Sequence, residues 1–280
     1  MSDPEGWVAL MRRACDEVGA LVRDMDPAAW REPIGRGAGG DITMMVDRVA
    51  EDAVLAVLEG SGRPLRLISE ELGVRDLNGG GGPVLVVDPI DGSLNAKRGL
   101  PFFATSIALA GGPAIGDVTL GVIRDHGSGE EWIGRRGRGA TVDGRPVDAT
   151  APTGDRPLEL LMIEGSYPDR LGPAAAALEG RVGRIRALGS LALSLCHTAG
   201  GRGDAMVGLG PGRSIDIAAA QLVASEAGLI VGLPRPADLP GMSLGLEARF
   251  HVVGARDAAT LELLAGLLPR PVSPGGPASP

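Results

Sequence analysis

Aromatic residues are nearly missing from this 280-residue chain: three Phe, one Tyr and three Trp, 2% in all. Its core must therefore be packed with Leu, Val, Ile and Ala. Cysteine is equally scarce. Cys15 and Cys196 are too few for a disulfide framework, and each lies in an apolar helical pattern, which reads as two buried thiols in a reducing cytosol. No run of Lys or Arg forms a polybasic patch, and 27 basic against 35 acidic residues give a net charge of −8. Nucleic acid and anionic membrane surfaces are thus not expected partners. There is no apolar run of membrane-spanning length, and the N-terminus opens with acids rather than a signal core, so a soluble cytoplasmic protein is expected. What the chain does have is 44% hydrophobic residues, 45 glycines and 22 prolines without a three-residue period. That describes a globular protein with many turns and close backbone approaches.

One stretch stands out, Val84-Leu85-Val86-Val87-Asp88-Pro89-Ile90-Asp91-Gly92-Ser93. Four apolar residues in a row suit a strand buried on both faces. They stop at a carboxylate, then at a proline that ends regular structure, then at a second carboxylate beside a glycine. Two acids on one tight turn raise each other's pKa unless a cation holds them, so a divalent metal is the natural occupant. Gly92 and Ser93 add backbone N–H groups and a hydroxyl suited to a phosphate. Asp-Pro and Asp-Gly are also ordinary turn dipeptides, and the stretch by itself does not separate the two readings.

The pattern along the chain predicts an amphipathic helix carrying Trp7, Met11, Ala14, Val18 and Leu21. A flexible glycine-rich loop over Gly35 to Gly40 follows; it lacks the Lys-Ser/Thr ending of a P-loop. Asp41-Ile42-Thr43 leads into a second helix with Asp47 in its first turn. Strands are expected at Leu65 to Ile68 (ending in Ser69-Glu70-Glu71), from Val84, at Phe103 to Ala110, at Asp117 to Ile123 and around Trp132. The first half thus reads as two helices against a mainly antiparallel sheet. Ala151 to Asp155 resembles a domain junction. Beyond it come strands at Leu158 to Ile163, Asp204 to Val207 and Phe250 to Val253. They alternate with helices at Leu171 to Leu178, from Leu191 to Ala199, at Ile215 to Ala227 behind an N-cap at Ser214, and after Asp257, an α/β pattern. The expected organisation is an α+β domain over 1–152, an α/β domain over 153–268 and a disordered tail over 269–280.

Glu70, Asp88, Asp91 and Asp216 each end a strand or open a turn or helix, which lets the first three converge at one sheet edge. An oxygen-only donor set favours Mg²⁺ or Mn²⁺ over zinc. His126, His197 and His251 are scattered and read as structural, and Ser93 has no evident His partner for nucleophilic catalysis.

Three segments in this order resemble the signatures of the inositol monophosphatase family, Mg²⁺-dependent, lithium-sensitive phosphatases that include fructose-1,6-bisphosphatases. They are Ser69-Glu70-Glu71, Asp88 to Asn95, and Ser214 to Ala220 with Glu226-Ala227-Gly228. The segments Gly40 to Thr43, Asp47 to Glu51 and Asn95 to Phe102 look closest to the archaeal-type branch, whose members often act on both fructose 1,6-bisphosphate and inositol phosphates. The resemblance implies a layered αβαβα sandwich, usually a homodimer, acting on a small phosphorylated metabolite. It implies that Glu70, Asp88, the Ile90 carbonyl, Asp91 and Asp216 bind two or three Mg²⁺ ions, and that Asp91, Gly92 and Ser93 hold the phosphate. Asp47 and Ser93, with Glu70, would direct and deprotonate the attacking water, while Arg186 and Leu191 would touch the sugar or cyclitol. One departure is visible. Where relatives often carry an acid and, two residues on, an arginine, this chain has Gly208-Leu209-Gly210-Pro211-Gly212, with Arg213 next. Two rival readings remain beside sugar or cyclitol phosphates. One is a specialised sugar phosphate or a nucleotide such as 3′-phosphoadenosine 5′-phosphate, the latter disfavoured by the lack of aromatics for base stacking. The other is a non-catalytic phosphate-binding homologue.

Overall fold

The computed structural model describes residues 3–24, 33–36, 42–149, 158–165 and 167–268, with the backbone alone at 33–36 and 42–44. The expected loop at Gly37 to Gly40, the junction at Ala151 to Asp155 and the tail from Pro269 lie outside them. Five layers follow one another. Helices α1 (Pro4–Asp24) and α2 (Met45–Gly60) pack together and cover one face of a sheet of eight strands. Its strands are β3 (Leu65–Ser69), β4 (Gly73–Leu77), β5 (Val84–Asp91), β6 (Ala104–Ala110), β7 (Val118–Asp125), β8 (Glu131–Arg135), β9 (Gly139–Val142) and β10 (Arg145–Val147). They are ordered β10-β9-β8-β7-β6-β5-β3-β4, antiparallel throughout except for β3 beside β5. A short pair, β1 (Pro33–Arg36) and β2 (Ile42–Met44), lies before α2.

The middle layer is α5 (Leu191–Ala199) and α6 (Ser214–Glu226). Beyond it lies a second sheet of β11 (Leu158–Glu164), β12 (Val182–Arg186), β13 (Ala205–Gly208), β14 (Ile230–Gly232) and β15 (Val253–Ala255), ordered β12-β11-β13-β15-β14. β11 runs parallel to β12 and β13, whereas β15 is antiparallel to both its neighbours. Helices α4 (Pro168–Ala177) and α7 (Ala258–Ala265) close the far face, where Ala174, Leu178, Leu261 and Leu264 bury against Leu161, Ile163 and Val207. This is the layered αβαβα sandwich expected. Among the described residues no helix is long and apolar enough to cross a membrane.

The strand alternation explains the layering. In β5, Leu85 and Val87 face α1 and α2 while Val86 faces the middle helices; β6 repeats this with Ile107 and Leu109 against Ala104, Ala108 and Ala110. The alanines on the inner face let α6 approach closely, and so do Gly121 and Gly134. A β-carbon on Gly121 would lie 2.8 Å from the Ala219 carbonyl oxygen, and one on Gly134 would lie 2.8 Å from the Val223 backbone. On α6 itself Ala218, Ala219, Ala220 and Ala224 are all buried. The small residues are placed where α6 and the first sheet come closest, while Ile217, Leu222 and Val223 of the same helix fill the remaining core.

Several expectations shift. β4, β9, β10, β12 and β14 are strands that the pattern did not reveal, and Gly35-Arg36 belongs to β1 rather than to a loop. The last strand is Val253–Ala255, with Phe250 held only by a single bridge to Gly212. Ser214 is not the N-cap of α6; its hydroxyl donates to the Leu244 carbonyl at 2.7 Å, and Asp216 caps the helix by accepting from the Arg213 N–H at 2.7 Å. Gly134→Ala should destabilise the protein by about 1–3 kcal/mol through overpacking against α6. Gly111→Ala, with nothing within 4 Å, should stay within about 0.5 kcal/mol. Denaturant midpoints of the pair measure the difference.

Candidate functional site: an acidic cleft between the two sheets

β5 does not stop at Asp88, because a bulge carries it on. Asp88 pairs with Ser106 and Asp91 with Ala104, so three steps on one strand oppose two on the other, and pairing resumes past Pro89, which has no N–H to give. The bulge has its own supports. The Asp88 carboxylate accepts from the Ile90 N–H at 3.0 Å, and the Pro89 carbonyl accepts from the Thr105 hydroxyl at 2.8 Å. With that proton committed, His126 Nε2, 2.8 Å from Thr105 Oγ1, carries the N–H. Burial drives the His126 pKa down to about 4, keeping it neutral.

Gly92 follows with φ 93°, a left-handed conformation. Its missing β-carbon would lie 3.0 Å from the Phe102 carbonyl and 3.1 Å from that of Gly189. This tight passage starts the one-turn helix α3 (Ser93–Ala96) and brings the turn before α5 against β5. There Ser190 Oγ donates to Asp91 and accepts from the Leu193 N–H at 3.2 Å. The Leu191 and Ala192 N–H groups, at the start of α5, also reach Asp91, at 3.3 and 2.8 Å. Asp91 is therefore bound across the layer boundary to a helix N-terminus, where a negative charge is favoured.

A cleft of about 880 Å³ opens at this junction. Glu70, Asp88, Ile90, Asp91, Gly92, Ser93, Leu191 and Asp216 line it, from the end of β3, from β5 and α3, and from the starts of α5 and α6. Two residues singled out by resemblance are not among its lining. Asp47 lies half-buried in the first turn of α2. Arg186 is exposed at the end of β12 and donates to the adjacent Ile185 carbonyl at 2.9 Å. Residues that sequence reasoning passed over also line the cleft, among them Glu164, Tyr167, Asp169 and Arg170. For Glu164 no local signal existed, since it only ends an apolar strand.

The carboxylates in the cleft hold one another in check. Burial pushes Asp88 well above the usual carboxylate range, and Glu70, Asp91 and Asp216 push it further. Burial raises Asp91 to about 7, with Ser190 and Ala192 pulling back and Asp216 and Glu164 adding to the rise. Glu70 is raised to about 7, again mainly by burial, although it forms an ion pair with Arg213. Glu164 has different neighbours. Buried at 4% exposure, it accepts from Leu188 N–H at 3.2 Å, Gly189 N–H at 2.9 Å and the Ser194 hydroxyl at 2.6 Å. From the other side Asn95 Nδ2 grips the Leu188 and Phe102 carbonyls at 2.6 and 2.8 Å. Together they fix the turn that presents Ser190 to Asp91.

Four carboxylates with a main-chain carbonyl beside them, their charges offset by a single arginine, form an oxygen donor set that fits a hard divalent cation. A second grouping, Asp125, Glu130 and His197, has ligand atoms within 4.8 Å of one another. There Arg202 already supplies the positive charge, pairing with both Glu130 oxygens and lying 3.1 Å from His197 Nε2.

The layers and the acid-lined cleft define a class, and comparison with known proteins gives it a name. The model of the inositol monophosphatase family matches residues 12–265, and the chain belongs to that family. It is 33% identical over 269 residues to the fructose-1,6-bisphosphatase/inositol-1-monophosphatase of Methanothermobacter thermautotrophicus, covering 91% of this chain and 93% of the relative. To the Nus factor SuhB of Pseudomonas aeruginosa it is 31% identical, covering 82% and 83%. Among solved structures, the Thermotoga maritima IMPase TM1415 superimposes with a TM-score of 0.74 at 24% identity, covering 94% of this chain and 98% of that one.

Two measurements probe the supports. Glu164→Gln places an amide donor against backbone N–H groups and should cost roughly 1–3 kcal/mol in denaturant unfolding. For His126, the unfolded chain takes up a proton below about pH 6.5 that the folded protein resists until about 4, so its contribution is complete above 6.5 and lost as pH falls. The stability gap between wild type and His126→Gln should accordingly narrow by roughly 1–2 kcal/mol from pH 7.5 to 5.

Proposed function

We propose that the protein is a Mg²⁺-dependent phosphomonoesterase that hydrolyses a small sugar or cyclitol phosphate, with fructose 1,6-bisphosphate and inositol 1-phosphate as first substrates. The observation that carries this reading is the convergence in one cleft of Glu70, Asp88, Ile90, Asp91 and Asp216 with the Gly92-Ser93 turn. The names of the relatives support it. In this reading Glu70, Asp88, Asp91, Asp216 and the Ile90 carbonyl hold the cations. When bound, these supply charge neutralisation for the phosphate and lower the pKa of a water that can attack it. Gly92 and Ser93 offer an N–H pair and a hydroxyl to the phosphate oxygens. Ser190 and the first N–H groups of α5 keep Asp91 aimed into the cleft.

Asp47 and Ser93 remain the proposed pair for deprotonating the water. Asp47 would act from the start of α2, which packs against β5. Leu191 would line the sugar side; for Arg186, exposed on the edge strand β12, the sugar-contact role rests on resemblance alone. Phosphoryl transfer asks the protein mainly for positioning and neutralisation, and the cleft is built from those two elements. A nucleotide substrate is the weaker reading, since Tyr167 is the one aromatic among the described residues that line the cleft.

Phosphate release should require Mg²⁺, stop on chelation, and fall by at least about 100-fold in Glu70→Gln or Asp88→Asn, the scale of losing one main electrostatic stabiliser. Independently of turnover, saturating Mg²⁺ should raise the melting temperature of the wild type. A hundredfold excess over the dissociation constant contributes about 2.7 kcal/mol, several degrees for a chain of this size. Asp88→Asn should lose most of that rise. Full activity after chelation, or in both variants, would reject the metal assignment.

A further inference from the structure

We propose that Arg170 selects a substrate carrying a second anionic group, by pairing with that group where the cleft meets the adjoining hollow. This deepens, and rests on, the phosphatase reading. Two cationic side chains line the cleft among its described residues, Arg213 and Arg170. Arg213 is committed to Glu70. Arg170 stands in the first turn of α4, exposed, with its guanidinium 5.3 Å from the centre of the Tyr167 ring. Among the described residues that guanidinium has no hydrogen bond and no ion pair, not even with the neighbouring Asp169. A cation bordering a cleft rich in carboxylates, yet joined to none of them, is placed to receive an anion from outside.

The wall beneath it explains how it reaches that place. Gly165, at φ +68°, lies so near Gly210 that a β-carbon on it would come within 2.3 Å of the Gly210 nitrogen. A β-carbon on Gly210 would in turn lie 3.0 Å from Arg170 Nη1. The guanidinium therefore lies over a bare glycine pair, in volume that any side chain at 210 would claim. The run Gly208 to Gly212, which lacks polar side chains of its own, gives that volume to an arginine arriving from another element. Arg170, Asp169 and Pro211 also border an adjoining hollow of about 670 Å³, so the cleft continues past Arg170 and leaves space for the remote half of a ligand. A planar guanidinium that stacks on an aromatic ring and keeps its N–H edge open suits a phosphate or carboxylate.

The test compares Arg170→Met with wild type on fructose 1,6-bisphosphate and on inositol 1-phosphate, both with Mg²⁺. KM for the bisphosphate should rise at least about tenfold, the scale of a lost charge-assisted hydrogen bond, with kcat nearly unchanged. KM for inositol 1-phosphate should stay within about twofold, and Arg170→Lys should recover part of the loss. Equal changes on both substrates, or no change on the bisphosphate, would overturn the assignment. Calorimetric titration of fructose 1,6-bisphosphate in Ca²⁺ judges Arg170 without turnover. At least tenfold weaker binding to Arg170→Met supports it, whereas equal affinity, or no binding to wild type, refutes it. A wild type that releases no phosphate from either compound yet binds the bisphosphate through Arg170 would remove the phosphatase reading alone.

Discussion

The structure depends on the close fit of α6 between two sheets. A helix buried on both sides must alternate large side chains with small ones, and where α6 comes nearest the first sheet the contacts are backbone against backbone, Ala219 on Gly121 of β7 and Val223 on Gly134 of β8. The consequence reaches the cleft directly. Asp216 stands in the first turn of this helix, and its position relative to β3 and β5 is fixed by how closely α6 seats on β7 and β8. Small residues far from any polar chemistry thus determine where one of the four carboxylates sits.

The same boundary between layers accounts for the rest of the cleft. Glu70 and Asp88 come from the first sheet, Asp216 and the Asp91-binding turn from the middle helices, and Glu164 from the second sheet. Burying acids so close together opposes their ionisation, and the protein offsets this only in part: Arg213 for Glu70, Ser190 and a helix N-terminus for Asp91. Asp88 accepts one backbone N–H and feels the Arg213 charge, yet burial and its acidic neighbours raise its pKa well above the carboxylate range. Such an arrangement is costly for a bare protein and becomes favourable once a cation occupies it.

Much of this was legible in the chain. The apolar run into Asp88 and the acids at strand ends pointed to a metal-holding turn, and the resemblance they carry to the family's signatures implied the sandwich and the carboxylates that meet in the cleft. What stayed hidden has physical causes. β4 alternates weakly, with Arg75 and Asp76 in its middle, and β14 is only three residues long. The cap on α6 went to Asp216 because Ser214, a good capping residue by type, found a buried carbonyl partner instead. Glu164 and Arg170 escaped notice because their roles come from what the fold sets opposite them, a turn in one case and a pair of glycines in the other. Arg186, singled out by resemblance alone, stands exposed at the end of the edge strand β12.

Tyr167 is the chain's single tyrosine, 64% exposed at the rim of the cleft with the Arg170 guanidinium over its ring. A phenol in that position makes the protein its own reporter. Any tyrosine-specific signal, whether ultraviolet difference absorbance or the ionisation of the ring in mild alkali, comes from one known point beside the cleft mouth. With one tyrosine in the chain, this region is optically uncluttered, so occupancy could be followed there without adding a label.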